Sequence, residues 1–163
     1  MSGPHEDARK LVTWSLSTFH ASAFVLAIVL LLYSRGGLGP ALGGLNTLFG
    51  LGLFVALWVT TYVTTSRALE GIDLLDPAVD RVRFLRRALR WGAANALAFL
   101  AVLGILFVAG AILTAPAGLM SLVFIGPFAV VIGAAVGAVV GTFFGLVDLA
   151  LCALARAALV SET

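Results

Sequence analysis

The sequence predicts an all-α integral membrane protein, built as a four-helix transmembrane bundle. The 163 residues are 61% hydrophobic and only 11% charged, whereas a soluble domain carries about 25% charged residues. A soluble fold of this size could not cover so much apolar surface. The apolar residues also form long continuous runs rather than short segments of alternating polarity, which favours helices over a barrel.

Charge-free runs give the number of spans. They cover residues 11–34, 36–66 and 91–147, and a helix needs about 20 apolar residues to cross the hydrocarbon core. The first two runs each hold one span, and the third holds two, separated by the turn-forming segment Thr114–Gly118. All the spans belong to a single membrane domain, residues 1–163. The predicted spans are about 12–33, 45–66, 92–113 and 122–150.

The positions of the basic residues predict the orientation. Four spans place the N-terminus, the middle loop 67–91 and the C-terminus on one side of the membrane. That side holds nine of the ten lysines and arginines, and the other side holds only Arg35. Because basic residues collect on the cytoplasmic side, we expect a multi-pass plasma-membrane protein with both termini in the cytoplasm. The predominance of arginine over lysine indicates a GC-rich prokaryotic genome.

Two parts of the chain resemble each other at a separation of about 77 residues. Arg9–Trp14 and Arg86–Trp91 both place basic residues and a tryptophan just before a span, and Pro-Ala pairs occur in both external turns. This pattern indicates two tandem helical hairpins of the same orientation. The alternative is that every helix leaving the cytoplasm begins with basic residues and an aromatic residue, without any repeat.

The cytoplasmic loop predicts a short amphipathic helix between spans 2 and 3. Asp76-Pro77 is a suitable helix start. The helix then either lies on the membrane surface or runs straight into the third span. Its arginines are hypothesised to contact lipid headgroups, or else they are solvated charges that set the topology. The two predicted faces are basic, with Arg83, Arg86, Arg87 and Arg90, and apolar, with Val82, Leu85, Ala88 and Leu89.

A glycine stripe in the fourth span predicts close helix packing. Its members recur every four residues and are Gly133, Gly137, Gly141 and Gly145. This spacing keeps them on one helical face, where the absence of side chains lets another helix approach backbone to backbone. The partner is either a helix of the same bundle or a second copy of the chain in a homo-oligomer.

Polar residues at membrane depth predict a small pocket open to the cytoplasm, lined by His20, Asn95 and Asp148. Ionisable groups in a bilayer are costly and often functional. The alternative is that Asp148 reaches interfacial water, while His20 bonds to Ser17 or to a neighbouring helix.

The sequence contains no pattern typical of a catalytic, metal-binding or cofactor-binding site, and its net charge of +2 is too small to indicate nucleic-acid binding. We therefore expect a non-enzymatic structural, assembly or accessory membrane protein. Its expected partners are membrane lipids and either further copies of itself or a larger membrane complex. The alternative is a small oligomeric channel or transporter assembled through the glycine stripe.

Overall fold

The computed structural model describes residues 4–43, 46–72, 79–114 and 118–160. Within these ranges the chain forms helices and no strands, and four of the helices are long and apolar enough to cross a membrane. This confirms the prediction of an all-helical chain with four membrane-length helices. The helices are α1 (Pro4–Ser34), α2 (Leu38–Gly43), α3 (Thr47–Ala68), α4 (Arg81–Thr114) and α5 (Leu119–Val160).

The last two long helices extend beyond the predicted spans. The third span was expected to begin near residue 92, and α4 begins at Arg81. The fourth was expected to end near residue 150, and α5 continues to Val160. Both extensions lie at the end that the basic residues assign to the cytoplasm. With them, these two helices are longer than is needed to cross a bilayer.

In the described residues, the basic segment before span 3 runs straight into that span, which is the second of the two arrangements expected from the sequence. Arg81 through Thr114 is one continuous helix. Asp80 caps it, because its carboxylate accepts a hydrogen bond from the Arg83 amide at 3.0 Å. No glycine or proline lies between Arg81 and Trp91 to interrupt the helix. The predicted start at Asp76-Pro77 lies outside the described residues.

The chain divides into two compact units, residues 1–65 and 66–163. In the first unit, α1 ends in a Schellman turn. Gly36 has a positive φ of 68°, its amide bonds to the Tyr33 carbonyl at 3.0 Å, and the Gly37 amide bonds to the Leu32 carbonyl at 2.8 Å. Asn46 caps α3, because its side-chain oxygen accepts from the Leu48 amide at 2.9 Å.

Polar side chains of the first unit bond within and between its helices. The indole Nε1 of Trp58 donates to the Thr18 hydroxyl at 3.0 Å, which joins α3 to α1. The hydroxyl of Ser17, which is fully buried, donates to the Thr13 carbonyl at 2.6 Å. Bonding to the helix's own backbone lets a serine be buried without a partner on another helix.

In the second unit, α4 and α5 pack side by side as an antiparallel pair. Gly145 lies against Ala88 near the start of α4, and Gly133 lies against Leu100 further along it. Residue numbers therefore rise along one helix as they fall along the other. The glycine stripe of α5 is on the contact face.

Candidate functional site

The centre of the α4–α5 contact is a seam where backbone meets backbone. A Cβ atom built on Gly141 would lie 2.5 Å from the Ala88 carbonyl oxygen and 2.6 Å from the Gly92 Cα. One built on Gly137 would lie 2.5 Å from the Gly92 carbonyl oxygen and also against the Ala96 Cβ. These distances are too short for any side chain, so only glycine fits at both positions.

The seam is less tight towards its ends. A Cβ on Gly145 would meet the Ala88 Cβ at 2.8 Å, and a Cβ on Gly133 would lie 3.5 Å from the Leu100 Cδ2, an ordinary van der Waals distance. The four glycines of the stripe therefore differ in how strictly the packing requires them. All four face α4 of the same chain.

Gly92 of α4 is a seam residue that the sequence interpretation missed. A Cβ built on it would lie 2.6 Å from the Gly141 Cα and also against the Gly137 carbonyl oxygen. The signal that could have found it is a second small-residue pattern with the same four-residue spacing, namely Ala88, Gly92 and Ala96. Two matching stripes on successive helices indicate that the helices pack on each other.

The arginines of α4 have different environments. Arg83, Arg86 and Arg90 are exposed. Arg87 is half-buried, and its Nη1 donates a hydrogen bond to the Glu70 carbonyl, which ties the segment after α3 to α4. The Arg87 side chain thus makes a contact within the protein that the side chains of the three exposed arginines lack in the described part of the chain.

The apolar face expected for this basic segment is shifted. Ala88 is buried against Gly145, as that face predicts, but Val82 and Leu89 are exposed. Phe84, absent from the predicted face, is the most buried large side chain of the segment and lies 3.6 Å from a Cβ built on Gly145. The buried face of this segment is the one that contacts α5.

The predicted polar pocket involves residues from both units. His20 belongs to the first unit and is 8% exposed; its ring centroid lies 5.9 Å from that of Phe19. Asn95 and Asp148 belong to the second unit, where Asn95 is half-buried and Asp148 is 4% exposed. A pocket formed by all three residues stays a prediction.

Within the second unit, Asn95 and Asp148 lie at different levels. Since Gly92 meets Gly137 and Gly141, the antiparallel pairing places Asn95 level with about residue 136 of α5. Asp148 is 12 residues (148 − 136) further along, which corresponds to about 18 Å of helix. Asp148 is instead level with the first turn of α4. Among the described residues, no group of three or more His, Cys, Asp or Glu side chains is placed to hold a metal ion.

The four apolar helices and the glycine seam are compatible with the class of multi-pass helical membrane proteins. Residues 9–163 match the family of unknown function DUF7965, and the chain belongs to that family. Comparison with curated proteins and with solved structures gives no match.

Proposed function

We propose that this chain is a non-enzymatic plasma-membrane protein with a structural, assembly or accessory role. It spans the bilayer four times, with both termini in the cytoplasm. The observation that carries the proposal is the close contact between Gly92 of α4 and the Gly137–Gly141 turn of α5. In lipid, where no hydrophobic effect drives helices together, such contact supplies the packing that holds two helices in one arrangement.

A tightly packed helix pair is better suited to a structural role than to the helix movement that opens and closes a channel. Separating α4 from α5 would lose van der Waals contact along the seam, and a gap of about 1 Å already loses up to half of each contact's energy. The outer faces of both helices carry exposed apolar side chains, including Ile105, Leu113 and Phe128. Such faces are suited to contact lipid or the helices of a larger membrane complex.

The channel or transporter alternative depended on the glycine stripe as a seam between copies. In the described structure that stripe is covered by α4 of the same chain, so an oligomer would need another face. This favours the structural role over an oligomeric channel.

The location and orientation rest on the apolar helices and the charge distribution. Nine of the ten basic residues lie on the side assigned to the cytoplasm. Labelling tags at the two ends in intact cells tests this directly. We expect both tags to be protected until the membrane is permeabilised, and accessibility of one tag alone would contradict the four-span arrangement.

The role itself is tested with the purified full chain. Light scattering in a mild detergent gives its mass, and reconstituted vesicles report any flux of protons or small ions. The structural role predicts flux equal to that of empty vesicles and a membrane protein that co-purifies in fixed stoichiometry. Flux that is present in the wild type and absent in His20→Ala would instead establish the transporter alternative.

A further inference from the structure

The first turns of α4 carry a mixed basic and apolar face on the side turned away from α5. Successive residues of a helix are about 100° apart, so the members of this face fall within about 120° of the helix circumference. Ala88 and Gly92, which contact α5, lie on the other side. The members, called the basic–apolar face below, are all exposed and are Val82, Arg83, Arg86, Leu89 and Arg90.

The positive charge of this face is not neutralised within the described part of the chain. There, the arginine side chains of the face make no hydrogen bond or ion pair with the protein. The acidic groups described nearby are engaged elsewhere. The Asp80 carboxylate caps α4 through the Arg83 amide at 3.0 Å, and the Glu70 carboxylate lies 3.7 Å from the Arg67 guanidinium. The face therefore offers guanidinium groups to a partner.

The length of α4 places most of this face beyond the lipid headgroups. α4 ends at Thr114. With Thr114 at the outer edge of the hydrocarbon, Arg90 lies about 36 Å away along the helix and Val82 about 48 Å away. The hydrocarbon core is about 30 Å thick, and each headgroup layer adds about 5–8 Å. Lipid therefore reaches only the Arg90 end, and the rest of the face projects into the cytoplasm.

Two exposed apolar side chains lie beside these arginines, which narrows the kind of partner that fits. Val82 and Leu89 are 60% and 45% exposed, and exposed apolar groups are common at protein contacts. A nucleic acid would bind the guanidinium groups through its phosphates and leave both side chains in water. A second copy of the chain would bring like charges together, which is costly at an interface. A protein segment with carboxylates beside apolar side chains complements the whole face.

We propose that the basic–apolar face is a docking site for an acidic amphipathic helix of a partner protein. The guanidinium groups of Arg83, Arg86 and Arg90 pair with carboxylates of that helix through charge-assisted hydrogen bonds. Val82 and Leu89 contact its apolar side chains. The inference rests on the proposed function, because it requires this end of α4 to lie in the cytoplasm, and it gives the accessory role a partner of defined chemistry.

The test uses the full chain in phosphatidylcholine nanodiscs, which carry no net charge. The probe is a labelled synthetic helical peptide with glutamates spaced by three and four residues beside a row of leucines. Fluorescence anisotropy measures its binding in about 0.15 M salt, and the signal from empty nanodiscs is subtracted. We expect the wild-type chain to bind this peptide and not a shuffled peptide of the same composition.

Charge variants separate the face from net charge. Arg86→Gln/Arg90→Gln removes two exposed ion pairs and should weaken binding about fivefold. The control Lys10→Gln/Arg67→Gln removes the same charge from the same side of the membrane. It should change binding by less than about twofold, because this salt screens charges more than about 8 Å apart. Arg86→Glu/Arg90→Glu should lose the glutamate peptide and bind a peptide with lysines at the same positions.

A second pair of variants tests the apolar half of the face. Leu89→Gln should weaken binding about fivefold, because it removes an apolar side chain that the peptide covers. The control is Leu154→Gln, which changes a leucine of α5 that is 67% exposed and lies outside the face. We expect this control to bind the peptide as the wild type does.

Every other outcome overturns the inference. Equal weakening by the charge variant and its control would mean that net charge alone attracts the peptide. Displacement of the peptide by a short RNA would assign the face to a nucleic acid, and a two-chain mass in light scattering that Leu89→Gln halves would assign it to a second copy. A chain that inserts into nanodiscs and does not bind the peptide would leave the proposed function standing. Failure to insert would defeat both.

Discussion

Adding one methyl group to the centre of the seam is the sharpest test of the α4–α5 packing. In Gly141→Ala the new Cβ would lie 2.5 Å from the Ala88 carbonyl oxygen and 2.6 Å from the Gly92 Cα. Both are backbone atoms, so neither can rotate away as a side chain would. The helices must separate, and we expect Gly141→Ala to destabilise the protein.

The expected size follows from the contact distances. Non-bonded carbon atoms pack at about 3.5–4.0 Å, so the helices must move apart by about 1 Å near Gly141. Overpacking of this kind costs about 1–3 kcal/mol, and replacing glycine by alanine in a helix returns about 1 kcal/mol. The free energy of unfolding should therefore fall by up to about 2 kcal/mol, and by about 1–3 kcal/mol relative to a glycine-to-alanine change without overpacking.

The same stripe and the same helices provide matched controls. In Gly133→Ala the new methyl would lie 3.5 Å from the Leu100 Cδ2, and in Gly104→Ala it would meet nothing within 4 Å. Both should be neutral or stabilising by up to about 1 kcal/mol. Reversible unfolding in mixed micelles, followed by tryptophan fluorescence, measures all three. If Gly141→Ala is as stable as Gly133→Ala, backbone contact does not hold this pair together.

Two further predictions concern individual contacts. Gly145→Ala should cost about 1 kcal/mol, because its methyl would meet the Ala88 Cβ at 2.8 Å. Gly145→Ala/Ala88→Gly should recover most of that loss in the same unfolding assay. If the double variant loses as much free energy of unfolding as the two single variants together, the contact is contradicted. Trp58→Phe and Thr18→Val each remove the bond between α3 and α1 and should each cost about 0.6–1 kcal/mol. Their double-variant cycle should show a coupling of similar size, and fully additive losses would refute the bond.

The helices inside the apolar runs could be predicted from the sequence, and their extensions could not. A helix in lipid must satisfy its own backbone, so about 20 apolar residues mark it. Outside the apolar runs, composition no longer distinguishes helix from loop. Arg81–Arg90 is strongly basic and is still helical, because Asp80 caps it through the Arg83 amide and its residues favour helix.

The glycine stripe predicts that α5 packs closely against another helix, but it does not predict which helix that is. Glycines spaced by four indicate only that some backbone comes close. The partner becomes predictable when a second stripe is recognised, here Ala88, Gly92 and Ala96, since Gly92 lies between the levels of Gly137 and Gly141.

The same pairing determines depth, and depth decides which polar residues can act together. The sequence predicts one pocket for Asn95 and Asp148, because each lies near the cytoplasmic end of a predicted span. Both α4 and α5 continue past those ends, and Asn95 and Asp148 lie about 18 Å apart along the helix pair. Asp148 is level with the first turn of α4 and is 4% exposed. A polar pocket that includes both Asn95 and Asp148 would therefore have to extend over that length of the helix pair.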